Sequence, residues 1–401
     1  MTLRNRDAWA PYVVSLRAWV LCDVFDVLVA GSDVEPEVVA ALHQHAYFLR
    51  RHLELDVGGN HLLKNLKAIV ALGVFLGDPE LVALGRRHLV RQLSVQVLAD
   101  GGHYERSPLY HCQVLGDLID VKNVLAAARQ PAIPGLSTAV ERMRRWLGAM
   151  VGPDGEVPLL NDAVAVGPER LAALSPDRPA FRRLTVLGPS GYVVVCPARR
   201  AHLVLDVGDA CPDDLPAHAH ADCLSFELWV DGRLVIVDTG TSTYEPGARR
   251  AYERSTAAHN TVEVDGANQT EVWGTFRAGR RARGTLLTAE DDGTVVTVVA
   301  SHNGYRHLPG SPIHRRRWIA RPGGLQIDDV VEGSGLHCLT SSLYVDDRAR
   351  SGVTLTGSGA THHTSPCDVA RGFGQLRPAV RHRLTSDDVA LPCELGWSVT
   401  W

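Results

Sequence analysis

An α+β multidomain protein, helical first and strand-rich second, is the fold that the sequence predicts. Three observations carry this. Over roughly the first 180 residues, apolar side chains recur at three- and four-residue steps. From about residue 190 the period drops to two. The chain is also 401 residues long, more than a single hydrophobic core usually serves.

In the first half, Glu37 to Leu55 places Val39, Leu42, Ala46, Leu49 and Leu53 on one helical face, and Leu62 to Leu76 repeats the pattern. Further helices are predicted over Pro79–Val97, Pro108–Ala128 and Thr138–Val151. Breakers such as Gly77-Asp78, Asp100-Gly101-Gly102 and Pro153-Asp154-Gly155 separate them, which implies antiparallel helical hairpins. In the second half, Tyr192–Cys196, His202–Val207, Leu224–Val230, Leu234–Asp238, Val295–Ala300 and Leu325–Val331 are short β-rich runs with turn signals between them. They imply a large antiparallel sandwich. The change falls in the Pro-rich stretch Pro168–Pro189, giving a helical domain over 1–185 and a β-domain over 186–401.

A net charge of −4 argues against a nucleic-acid partner, though a basic cleft could still take an anionic polymer. Eight scattered cysteines without a C-x-x-C pair point to thiols, most of them buried, rather than a zinc knuckle. No apolar run is long enough for a membrane span, and Met1 to Trp9 lacks the pattern of a signal peptide. A cytoplasmic location is therefore the expectation, or a periplasmic or secreted one if an upstream segment is missing.

The densest chemical feature is His218-Ala-His220-Ala-Asp222, followed by the strand-turn-strand run that ends at Asp238, and then His259. In an extended chain residues 218, 220 and 222 share one side, and two imidazoles with a carboxylate suit a divalent metal, zinc by preference. A two-residue hairpin at Asp231-Gly232 would place Asp238 opposite Ser225, on the face away from His220. A bulge or a three-residue turn is therefore expected. The helical half offers Asn60-His61 at a helix start, where Asn60 is also a good cap, and Tyr110-His111 in the first turn after a Ser107-Pro108 start.

These pieces resemble the heparinase II/III family of polysaccharide lyases, with kinship to alginate lyases. The similar stretches are Asn60-His61, Asp100 to His111, Pro153 to Asp162, His218 to Asp222, Asp238 to Thr241, Arg254 to Thr261 and Val264 to Arg277. The resemblance implies an α/α toroid followed by an antiparallel β-sandwich. The helical part is short for a complete toroid, so a partial one is implied, and a homodimer could close the gap. The resemblance further implies that His220, Asp238 and His259 hold a metal, and that His218 and Tyr110 transfer protons. Asn60 and His61 would contact the substrate carboxylate.

The expected reaction is β-elimination on a uronic-acid glycan, in which a base removes the C5 proton and an acid protonates the leaving O4. The carboxylate beside C5 must be neutralised for that proton to leave. A tyrosine base needs cations to favour its phenolate, and His61, His111, His218, Arg249, Arg250 and Arg254 could supply them. Tyr244 and Tyr252 are further candidates from the β-half; with His111 and Arg254 they complete the expected substrate contacts. Rival expectations are a metal-dependent hydrolase, a biosynthetic eliminase, and a non-catalytic glycan-binding protein.

Overall fold

Six longer helices dominate the first part of the chain: Pro11–Asp23, Glu35–Leu49, Gly59–Phe75, Pro79–Gln96, Pro108–Ala127 and Leu136–Met150. The computed structural model describes residues 7–175 and 180–401. The start of the predicted 1–185 domain, residues 1–6, and part of the Pro168–Pro189 stretch, residues 176–179, lie outside the described residues. Five of the six helices match predicted ones to within a few residues, except that Glu35–Leu49 stops short of Leu55. Pro11–Asp23 was not predicted, because apolar residues lie on every side of it and leave no clear period.

Asp78 caps Pro79–Gln96 by accepting the N–H groups of Glu80 and Leu81 at 2.9 and 3.1 Å. Two glycines let this helix approach Gly59–Phe75. A Cβ on Gly85 would lie 2.6 Å from Val70, and one on Gly73 would lie 2.8 Å from the Val82 backbone nitrogen. Asn60 is not the cap of its helix. Gly58 holds that position with a φ of 69°, and Asn60 sits buried in the first turn. The helical core gathers Val14, Leu42, Leu49, Ile69, Leu72 and Leu81.

From Leu184 onward the chain is mainly antiparallel β-sheet, with one short α-helix, Ala248–Glu253. The larger sheet runs Leu184–Leu187, Tyr192–Val195, Ala201–Asp206, Phe226–Val230, Arg233–Ile236, Leu336–Asp346, Gln375–Ala390, Thr361–Gly372, with Val262–Val264 also paired to Leu336–Asp346. The second sheet runs Thr354–Ser358, Cys393–Thr400, Gly324–Glu332, Ile313–Arg321, Val296–His302, Gly284–Asp291. Inward residues of both, among them Leu203, Phe226, Leu228, Trp318, Ile327 and Trp397, form one core, so the predicted sandwich is present.

The expected bulge is present too. Asp231 and Gly232 both have positive φ, 49° and 79°, as a tight hairpin turn requires. Val230 pairs with Arg233 and Trp229 with Leu234, but Leu228 then pairs with Ile236, leaving Val235 as the extra residue. Past the bulge, Asp238 accepts from His259 Nδ1 at 2.8 Å.

The compact units do not break at residue 185. One takes the chain up to His103 together with Cys112–Arg144; the other takes Tyr104–His111 and everything from Arg145. Long-range hydrogen bonds explain the difference. Tyr192 donates to the Arg106 carbonyl at 2.6 Å, and the Leu159 N–H donates to Glu227 at 3.2 Å, so segments 104–111 and 153–162 belong with the sandwich. All eight cysteines are free thiols, three of them buried.

Candidate active site

His218, His220 and Asp222 do not lie on a strand. They occupy an irregular segment before Phe226–Val230, and Leu224 turns the chain with a φ of 64°. The segment is pinned from outside. Arg254 donates to the Ala219 carbonyl at 2.9 and 3.1 Å, and the Ala221 N–H donates to the Arg254 carbonyl at 3.0 Å. Asn161 accepts the His220 N–H through its side chain and donates its own N–H to Asp222, both at 3.0 Å.

Asp162 is the hub of the site. One oxygen faces His218 Nδ1 at 3.1 Å and the other faces His220 Nε2 at 2.9 Å. Arg250 clamps both oxygens, at 2.5 and 2.8 Å. Burial alone would raise this carboxyl, but the hydrogen bonds from His218, His220 and Arg250 outweigh it and hold Asp162 well below the usual carboxylate range. It stays ionised in the interior because a bidentate guanidinium and two imidazoles share its charge.

Next to this hub lies the aromatic pair. Tyr110 stacks on His218 with ring centroids 3.7 Å apart, and its hydroxyl is 3.1 Å from that of Tyr244. His218 Nε2 faces Glu105 at 3.3 Å, so a carboxylate lies beside each ring nitrogen. Burial, with the Asp162 charge adding to it, pushes the Tyr244 hydroxyl up and keeps it a phenol. Tyr244 is thus a neutral hydrogen-bond partner for Tyr110.

The expected metal residues His220, Asp238 and His259 lie together, with Asp222 beside them. His220 and His259 face each other with ring centroids 5.3 Å apart. The carboxylate that joins them is Asp222, and one ligand atom from each of the three lies within 4.8 Å of the others. Asp238 instead backs His259, its Oδ2 accepting from Nδ1 at 2.8 Å while Oδ1 accepts the Gly240 N–H at 2.9 Å.

His220 Nδ1, Asp222 Oδ1 and His259 Nε2 are buried without a hydrogen-bond partner among the described residues. Each histidine has its other nitrogen committed to a carboxylate, Asp162 or Asp238, which is how metal-ligating imidazoles are commonly oriented. Burial lowers His220 to about 4, despite the pull of Asp162, which favours the neutral imidazole that a metal would require. Two imidazoles and a carboxylate suit zinc, and the residues fit such an ion.

A second buried network supports these segments. Arg316 donates to the carbonyls of Leu224, at 2.8 Å, and of Asn260, which adjoins His259. Its Nε and Nη2 bind Asp329 at 2.6 and 2.8 Å. Behind Asp329, the Gly304 N–H donates to His302 Nδ1, His302 Nε2 faces His314 Nδ1, and His314 Nε2 reaches the carboxylate at 2.8 Å.

Several expected site residues stand elsewhere. His111 is fully buried and stacked on Trp146 at 4.2 Å, a core position rather than a substrate contact. Arg254 is equally buried, with its guanidinium spent on backbone carbonyls. Tyr252 pairs with the Tyr344 hydroxyl at 2.8 Å. Asn60 and His61 belong to the helical unit, where His61 lies 3.0 Å from Glu54 and 4.4 Å from the Tyr12 ring.

Asp162, Asn161 and Glu105 went without a role in the sequence reading, whereas Asp222 was grouped there with His218 and His220. Their partners are far along the chain, Asp162 being 56, 58 and 88 residues from His218, His220 and Arg250. The available signals were the Pro153 to Asp162 stretch, which holds Asn161 and Asp162, and the Asp100 to His111 stretch, which holds Glu105.

Comparison with known proteins gives a consistent result. The family model "Heparinase II/III-like, C-terminal" matches residues 181–386, and "Heparinase II/III N-terminus" matches residues 1–174. FtsZ-localized protein C of Caulobacter vibrioides is 28% identical over 318 residues, covering 76% of this chain and 54% of that protein. A heparin-sulfate lyase of Bacteroides stercoris is 24% identical over 303 residues, covering 66% of this chain and 45% of the lyase. The chain thus spans about half the length of these curated relatives. A crystal structure of heparinase III superposes with a TM-score of 0.82 at 17% identity, over 98% of this chain and 69% of that one, which shows the shared fold of helical toroid and β-sandwich.

Proposed function

The chain belongs to the heparinase II/III-like family, and on that footing we propose that it is a polysaccharide lyase acting on uronic-acid glycans by β-elimination. The observation that carries this reading is the Tyr110–His218 stack at 3.7 Å, set between Tyr244, Glu105 and Asp162. It places a phenol and an imidazole side by side, the two group types that C5 proton abstraction and O4 protonation call for. Asp162 orients His218 through Nδ1, which leaves Nε2 on the side of Glu105. Tyr244 holds the Tyr110 hydroxyl in place while remaining neutral itself.

A divalent ion, zinc by preference, would be held by His220, Asp222 and His259, with Asp238 behind His259. When bound it would supply a fixed positive charge that joins the two histidine segments. Asp162 links this centre to the proton-transfer pair, because it touches both His220 and His218. Heparin-sulfate lyases among the relatives favour a glycosaminoglycan substrate.

The test is incubation of metal-loaded protein with heparan sulfate, chondroitin and alginate while following the ultraviolet absorbance of the unsaturated product. Tyr110→Phe is expected to lower that rate by about 10²- to 10⁴-fold, the usual contribution of a positioned acid or base. A second reading, localisation with FtsZ, comes from the name of the 28% identical relative, and non-catalytic glycan binding stands beside it as an alternative to cleavage. Both predict unchanged behaviour of the Tyr110→Phe protein.

A further inference from the structure

We infer that Phe276 and Phe373 form an aromatic subsite that receives a sugar ring of an acidic glycan beside Tyr110 and His218; the identity of the ligand rests on the lyase reading above. Both rings are exposed, at 41% and 50%, although each belongs to a hairpin tied into the site. Both meet the same residue edge-on, with Tyr244 lying 5.1 Å from Phe276 and 4.8 Å from Phe373. Phe276 also lies 6.2 Å from His218. A single exposed phenylalanine would need no explanation. Two of them, brought from separate hairpins to flank one tyrosine of the proton-transfer group, do.

The hairpin backbones show that this placement is held. Phe276 sits in a ribbon of only two residues per strand, Val272–Trp273 and Arg277–Ala278, too short to be stable by itself. Two fully buried arginines fix it. Arg254 donates to the carbonyls of Trp273 and Gly274 at 3.3 and 3.2 Å, and Arg250 donates to that of Thr275 at 2.9 Å. Arg250 is the residue that clamps Asp162, so the ring and the hub share one anchor. Phe373 lies in the turn between Thr361–Gly372 and Gln375–Ala390, where the Gly374 N–H donates to the Ser242 carbonyl at 2.9 Å. That bond ties the turn to the segment carrying Tyr244.

The chemistry fits a pyranose. A sugar ring presents C–H groups on its faces and hydroxyls around its rim, so an aromatic ring can cover a face without desolvating the polar rim. Phenyl rings offer this contact with no hydrogen-bonding demand of their own. They would fix the plane of the sugar and leave its carboxylate and leaving oxygen free to meet the polar groups.

The experiment uses heparan sulfate tetrasaccharides as the probe and the variants Phe276→Ala, Phe276→Leu, Phe276→Tyr and Phe373→Ala. Loss of a stacked ring is expected to raise KM about fivefold with kcat within about twofold, the mark of binding shared by ground and transition states. Leucine, apolar but not flat, is expected to behave like alanine, and tyrosine to restore binding. Calorimetry with the same tetrasaccharide on the Tyr110→Phe background reads binding without cleavage. Unchanged KM and unchanged binding in both alanine variants would overturn the subsite while leaving the lyase reading intact. Binding by the wild type that both alanine variants weaken, with no cleavage, would remove the lyase reading and support the subsite. A wild-type protein that neither binds nor cleaves the probe would overturn both.

Discussion

At the residue scale, Asp162 decides how the site works. It is fully buried yet ionised, and its two oxygens are divided between His218, His220 and Arg250. Asp162→Asn keeps the shape but strips the charge, leaving Arg250 buried without its counter-ion. The expected cost is about 3–5 kcal/mol of stability, read from urea unfolding. A loss under about 1 kcal/mol would show that Arg250 finds another partner. The orphaned atoms of His220, Asp222 and His259 make a second residue-level prediction. Purified protein is expected to retain one divalent ion per chain by elemental analysis, and His259→Ala to lose it. Chelation should then lower the unfolding temperature, because an ion that binds only the folded state stabilises it.

At the scale of elements, the strands Ile313–Arg321 and Gly324–Glu332 bring Arg316 and Asp329 together under the two metal-facing segments. Burial acts to raise Asp329, but Arg316 and His314 outweigh it and hold the carboxyl well below its ordinary value. A depressed carboxyl contributes stability that is complete above the unfolded value of about 4 and is lost as pH falls toward the folded one. Wild-type unfolding free energy should therefore drop steeply below about pH 4, and Asp329→Asn should flatten that limb. Equal acid slopes in the two proteins would contradict the assignment. The hairpin carries a lesson of the same scale. Its bulge was legible because the two-residue turn and the required facing of Asp238 could not both hold in a regular ladder. The H-A-H-A-D run grouped Asp222 with the histidines while the resemblance pointed to Asp238, and residues 218–222 leave the extended geometry that spacing assumes.

At the scale of the whole molecule, the order of helices then sandwich could be read from periodicity, and the family from seven short stretches. The division into compact units could not. Segments 104–111 and 153–162 look local in sequence, but Tyr192, Glu227 and Asp222 bind them to the sandwich. The same folding-back puts Tyr110 on His218 across 108 positions of chain, a pairing that no spacing rule supplies. Burial also reassigned His111 and Arg254 from substrate contacts to packing and pinning, since a sequence does not say which cations face solvent.

The most direct test of the central claim is the ultraviolet absorbance of metal-loaded protein incubated with a panel of uronate polymers, wild type beside Tyr110→Phe. A rising signal on at least one polymer, reduced about 100-fold or more in the variant, is the predicted result. No rise on any uronate from folded, metal-loaded protein, or an equal rise in both proteins, would contradict it.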